Sequence, residues 1–166
     1  MVKKLTTLIA EPDYSPKAIS AYRKLGPVCF WFGSTVKERA IFLASADIFV
    51  VRLAVRVTKN LMDKMPKLKV IATSTTGLNH IDVRHAERRG VRVISLRGRT
   101  GFLRAVPSTA EETMALLLAL VRNIPWAFTD VQRGNWRTNT WIGRQLSGKR
   151  LGIVGFGRLG RMVARY

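Results

Sequence analysis

"LGIVGFGRLG", Leu151 to Gly160, places Gly155, Gly157 and Gly160 at the spacing G-x-G-x-x-G, between an apolar strand-like run and a helix-like one. In such a turn one glycine permits unusual dihedrals, a second lets the backbone approach a phosphate, and a third lets helix and strand pack closely. The start of the following helix offers unpaired amides to an anion. The stretch therefore predicts a strand, turn and helix that cradle a dinucleotide through Gly155, Gly157, Arg158, Leu159 and Gly160. At Arg158 the backbone amide is the firmer expectation, since the side chain can simply be solvated. The fingerprint also asks for an acid about 20 residues further on to hold the ribose. That position falls after Tyr166, so the nucleotide site is incomplete within this sequence.

Working towards the N-terminus, the residues before this stretch repeat a strand–helix pattern. Lys3 to Ala10 reads as a strand, followed by a helix with Ser15 as cap, Pro16 at its first position and Gly26 at its close. Val28 to Phe32 is a second strand, and Thr35 and Glu38 have capping-box spacing for the next helix. "DIFVVRL" is a third strand, "TKNLMDKM" a short helix stopped by Pro66, and "LKVIATSTTG" a fourth strand running into a polar loop. Asp82 caps and Gly90 stops another helix before the fifth strand, "VRVISL". Five short apolar strands alternating with helices predict an α/β fold with an open, mostly parallel sheet, flavodoxin-like or Rossmann-like.

"RGRTGFLRA" reads as a linker, leading to Pro107 and to Ser108 and Glu111, again at capping-box spacing. The helix they begin carries three consecutive leucines, which predicts burial of more than one face. Pro125 ends or kinks it, and a shorter helix reaches about Arg133. After an irregular, tryptophan-containing stretch comes the strand "RLGIVGF" of a second α/β unit. The expected division is residues 1–105 and residues 106–166.

Composition narrows the function classes. With 47% hydrophobic and 23% charged residues the chain is globular rather than disordered. The single Cys29 excludes an intrachain disulfide and fits a reducing, cytoplasmic setting. The longest wholly apolar run, Met114 to Val121, is too short to span a bilayer. Two histidines and one cysteine without a paired motif give no metal site.

Several segments together carry a resemblance. "SGKRLGIVGFGRLG", "TSTTGLNHID", "STAEETMALLLAL" and "GNW" resemble, in order, segments of the NAD-dependent D-isomer-specific 2-hydroxyacid dehydrogenases, the family that includes D-3-phosphoglycerate dehydrogenase. The resemblance implies the N-terminal half of such an enzyme: a substrate domain lacking its C-terminal return, then the beginning of an NAD-binding domain. It implies NAD as cofactor and a small 2-hydroxy or 2-keto acid as the complete enzyme's substrate. By the same resemblance Arg52, Thr76 and Gly77 line the substrate cleft. From the residues alone, Thr76 can equally be a loop residue bonding its own backbone, and Arg52 a solvated strand-end charge. Ser95, Arg97 and Glu112 depart from the family pattern, where Asn, Pro and His are common.

Hydride transfer from a hydroxy acid needs a general base and a cation that polarises the substrate. The family supplies Arg, Glu and His for this from its other half, so no catalytic residue is assigned here and the chain alone is expected to be inactive. His80 resembles a structural loop position, and His85 sits on the following helix. The chain carries 29 Lys and Arg against 10 Asp and Glu, a net charge of +19. Seven arginines fall between Arg84 and Arg104 with only Glu87 among them, and residues 131–166 contain eight basic and no acidic residues. This excess fits an acidic partner surface, a homo-oligomer such as a dimer, or a polyanion; nucleic acid is the weaker alternative, because no nucleic-acid module is recognised and the tryptophans sit in packing contexts. A non-catalytic assembly or polyanion-binding protein derived from the fold is the second functional reading.

Overall fold

The computed structural model describes residues 4–166. The chain divides into two compact units, Met1–Arg99 and Thr100–Tyr166.

The first unit is a five-stranded parallel sheet made of β1 (Thr7–Ile9), β2 (Val28–Phe30), β3 (Ile48–Val51), β4 (Val70–Thr73) and β5 (Arg92–Ile94). Its spatial order is β2-β1-β3-β4-β5. One register row runs through Val28, Thr7, Ile48, Val70 and Arg92, so all five strands start level. The connections are α1 (Pro16–Arg23), α2 (Val36–Ser45), α3 (Lys59–Asp63) and α4 (Val83–Arg88). Lys3 lies outside the described residues, and the remaining strand expectations hold with shorter bounds.

Local chemistry starts each helix where the sequence places it. Ser15 accepts from the Ala18 amide with Pro16 next to it, and Thr35 and Glu38 form a reciprocal capping box. Thr58 and Asp82 accept from the Leu61 and His85 amides. Each such cap stabilises its helix by about 1 kcal/mol. Gly26 is fixed twice over: its φ is +152°, and a Cβ there would lie 2.5 Å from the Leu5 carbonyl oxygen.

Alternating strand residues feed two hydrophobic layers. Leu8, Phe49 and Ile71 pack with Leu43 of α2, Met62 of α3 and Ala86 of α4, while Ile9, Ile48 and Val50 pack with Ile19 and Tyr22 of α1. The two layers are unequal, since three helices cover one face and one covers the other. On the thinner side Ile94 remains exposed. Cys29 is half-buried against the first layer, and burial pushes its thiol pKa up.

The second unit is helical: α5 (Thr100–Arg104), α6 (Ser108–Val121), α7 (Ile124–Gln132) and α8 (Arg158–Arg165). Four expectations are corrected here. The stretch read as a linker contains α5. Ser108 and Glu111 form no capping box, because Ser108 is already helical and the Pro107 carbonyl accepts the Ala110 and Glu111 amides instead. The leucine-rich helix buries only Ala110, leaving Leu116, Leu118 and Leu120 exposed. The strand expected at residues 150–156 is extended backbone without a ladder, since the described residues of this unit supply no strand beside it, and Val154 is fully exposed. A strand needs a partner for its amides and carbonyls, which apolar patterning cannot provide.

The break before Pro125 is as expected: Asn123 adopts φ +56°, and α7 begins one residue later. The buried Asp130 carboxylate then organises the loop after α7, accepting from Asn135 Nδ2 and Trp141 Nε1, each at 2.9 Å, with Arg137 at 3.3 Å. The Trp141 hydrogen bond leads the effects that lower its pKa. No single helix among the described residues is long and apolar enough to cross a membrane; the apolar helices of this unit reach that length only as a pair bent by 64°.

Candidate functional site

In an open parallel sheet, the crevice for a ligand lies outside the carboxyl ends of the strands, where the strand order reverses. Here the order reverses between β1 and β3. The residues that follow those strands are Glu11 and Arg52, and they are bonded to each other. Glu11 is buried; its Oε1 accepts the Arg52 and Ala54 amides at 2.9 and 3.1 Å, and its Oε2 meets Arg52 Nε at 3.3 Å. Arg52 Nη2 donates to the Pro12 carbonyl at 2.8 Å, and the guanidinium lies 5.3 Å over the Tyr14 ring. Arg52 is thus an oriented cation held at the switch point, with Nη1 still unbonded among the described residues.

Tyr14 is shaped by the same environment. Desolvation pushes its pKa up to about 12, with the Arg52 charge opposing that shift, and its buried hydroxyl has no hydrogen-bond partner among the described residues. It lines a hollow of about 190 Å³ with Ser74 and Ser95 at the ends of β4 and β5.

Thr76 and Gly77 lie on the exposed loop after β4. Their neighbour Thr75 holds that loop: its hydroxyl donates to the Gly77 carbonyl at 2.7 Å and lies 3.0 Å from the Thr73 hydroxyl. The Thr76 and Gly77 amides donate to no acceptor among the described residues, and nothing lies within 4 Å of where a Gly77 Cβ would be. A carboxylate can therefore reach this backbone. Sequence reasoning missed Glu11 and Thr75; the signal for Glu11 was an acid placed directly after a parallel strand.

Neither histidine is poised as a general base. His85 Nε2 sits 2.9 Å from Asp63 Oδ1, joining α4 to α3. His80 is buried with Nε2 unpartnered among the described residues, and desolvation lowers its pKa below 6.5, partly offset by Glu11. Such a histidine folds neutral, whereas the unfolded chain protonates it near the ordinary value. Its contribution is therefore complete above about pH 6.5 and lost as the pH falls from there towards the lowered folded value. We expect the His80 ring resonance to titrate below 6.5 by NMR and the acid-side fall in Tm to be shallower in His80→Gln. A resonance titrating above 6.5 would contradict the assignment. Among the described residues, no group of three or more His, Cys, Asp and Glu side chains could hold a metal.

In the second unit the three glycines of the opening motif differ in the ways the fingerprint requires. Gly155 has φ +92°. A Cβ on Gly160 would lie 2.5 Å from the Gly155 carbonyl oxygen and 3.2 Å from an Ile153 methyl. Gly157, the N-cap of α8, has nothing within 4 Å of its Cβ position, so the space a phosphate would use is open. The amides of Arg158, Leu159 and Gly160 find no acceptor among the described residues and form the positive end of α8. The Arg158 side chain is committed elsewhere, donating to the Leu103 and Val106 carbonyls at 2.9 and 3.0 Å. These residues fit a dinucleotide pyrophosphate.

Comparison with known proteins agrees with this geometry. Residues 7–100 match the family model "D-isomer specific 2-hydroxyacid dehydrogenase, catalytic domain", and residues 114–166 match the model of the same family's NAD binding domain. The D-3-phosphoglycerate dehydrogenase of Methanocaldococcus jannaschii is 36% identical over 165 residues, covering 99% of this chain and 30% of that protein. The hydroxypyruvate reductase of Thermotoga maritima is 37% identical over 123 residues, covering 74% of this chain and 39% of that protein. Among solved structures, a putative D-isomer specific 2-hydroxyacid dehydrogenase from Polaromonas sp. JS6 66 superimposes with a TM-score of 0.81 at 26% identity, over 98% of this chain and 51% of that one. The D-lactate dehydrogenase of Aquifex aeolicus, complexed with NAD and lactic acid, gives 0.75 at 26% identity, over 96% of this chain and 47% of that one. The chain spans well under two thirds of the length of each of these proteins. With both family models matching in order and the glycine turn formed, the chain belongs to the D-isomer-specific 2-hydroxyacid dehydrogenase family.

Proposed function

We propose that the chain contributes the substrate-facing unit and the pyrophosphate cradle of an NAD-dependent oxidoreductase acting on the CH–OH group of a small D-2-hydroxy acid or its 2-keto counterpart. The observation that carries this reading is the glycine turn, in which each of three glycines is needed for a different reason. In the first unit Arg52, oriented by Glu11, and the free Thr76 and Gly77 amides favour an anionic substrate at the switch point. In the second, the Arg158, Leu159 and Gly160 amides receive the pyrophosphate. NAD, when bound, supplies the hydride acceptor.

The oxidation also needs a base at the substrate hydroxyl, and neither histidine of this chain is placed for it. The chain by itself is accordingly expected to give no turnover with 2-hydroxy acids and NAD, and to need a partner surface or another copy for a complete site. Turnover abolished by His80→Gln would reverse that expectation.

Calorimetric titration with NADH tests the cradle through Gly157→Ala. This Cβ meets no protein atom within 4 Å, and an N-cap Gly→Ala change costs about 1 kcal/mol or less, so the fold should survive while the phosphate approach is blocked. The parent chain should bind saturably and Gly157→Ala at least tenfold more weakly, with little change in Tm. Equal binding by both would mean that the turn is architecture without a nucleotide role.

A further inference from the structure

The second unit carries ten basic and three acidic residues between 100 and 166. Asp130 is consumed by the loop after α7, and Glu111 and Glu112 stand in the first turn of α6. The basic residues, by contrast, converge. A pocket of about 540 Å³ between α5 and α8 is lined by Thr100, Arg104, Gly157, Arg158, Arg161 and Arg165, and no acidic residue faces it.

The arginines have distinct roles. The two carbonyl bonds of Arg158 tie the segment from Leu103 to Val106 to the start of α8 and so fix the pocket floor. Arg161 is steadied over the Phe156 ring at 5.9 Å. Arg104, Arg161 and Arg165 form no ion pair among the described residues. Arg161 and Arg165 are four apart on α8, stacked on one face, where like charges repel unless an anion lies between them. Guanidinium forks suit phosphate oxygens, which they bind in bidentate pairs.

Distance separates this pocket from the pyrophosphate cradle. Arg165 lies eight residues beyond Gly157, about 12 Å along the helix at 1.5 Å per residue. A pyrophosphate seated on the first-turn amides of α8 cannot also neutralise it. The volume exceeds what one phosphate fills and lies in the range of small-molecule sites. We propose that the α5–α8 pocket is a second anion site, taking a small molecule with a chain of phosphate groups that spans Arg104, Arg161 and Arg165. It does not depend on the dehydrogenase reading.

Calorimetric titration of the whole chain with sodium tripolyphosphate, at low and raised salt, tests this without any dinucleotide present. One saturable site, weakened by salt, is expected. Arg161→Gln/Arg165→Gln should lose at least tenfold in affinity with unchanged circular dichroism, while Arg84→Gln/Arg92→Gln in the other arginine cluster stays within about twofold. Absence of saturable binding overturns the proposal. So does an equal loss in both double variants, which would mean diffuse attraction to the net charge. Where the chain binds NADH, saturating NADH should leave the tripolyphosphate affinity within about threefold; full competition would mean that the cradle is the only phosphate site and overturns the proposal too.

Discussion

Gly160→Ala is expected to abolish NADH binding and to lower Tm at the same time, in contrast to Gly157→Ala. The added methyl would sit 2.5 Å from the Gly155 carbonyl oxygen, closer than real Cβ atoms come to anything, and 3.2 Å from Ile153. Neither neighbour is the free end of a flexible chain, because one is backbone in a left-handed turn. The turn must open or α8 must tilt away, and overpacking of this kind costs about 1–3 kcal/mol. Either movement redirects the Arg158, Leu159 and Gly160 amides, so a binding loss of more than tenfold accompanies the lower Tm. Thermal unfolding and NADH titration on the same sample check it. If Tm were unchanged, the close approach of helix and turn would not be a constraint on this fold.

The second large effect is expected from Glu11→Ala. The buried carboxylate is the acceptor for two backbone amides on the segment leaving β3 and for the Arg52 side chain. Removing it leaves those donors without their acceptor and frees the guanidinium. Each unsatisfied donor costs about 1–3 kcal/mol where water cannot reach it; Arg52 is about one-third exposed, so solvent recovers part of the loss. A net destabilisation of about 2–4 kcal/mol is expected, read as a lower urea midpoint with unchanged m-value. Glu11→Gln keeps a neutral acceptor and should recover about half. A loss below about 0.5 kcal/mol for Glu11→Ala would show that the switch-point segment is held by its strand ladder alone.

The sequence was sufficient wherever structure depends on neighbours along the chain. Ser15, Thr35, Thr58 and Asp82 cap their helices because a hydroxyl or carboxylate three residues from an unpaired amide reaches it whatever the rest of the molecule does. The apolar runs that alternate with these helices fixed the five parallel strands for the same reason, and the glycine turn was legible because Gly155, Gly157 and Gly160 act over six residues. Tertiary structure decided what depends on distant partners. The 2-1-3-4-5 order put Glu11 against Arg52 across 41 positions of sequence, and no local pattern encodes that pairing. Ser108 and Glu111 had the spacing of a cap, but the Pro107 carbonyl satisfied the amides first. Residues 150–156 had the apolar pattern of a strand, yet hydrogen bonds between strands belong to pairs, and the described residues of that unit offer no second strand. Charge divides in the same way: the excess of arginine is readable from composition, whereas its convergence between α5 and α8 exists only once Arg158 has fastened the two together.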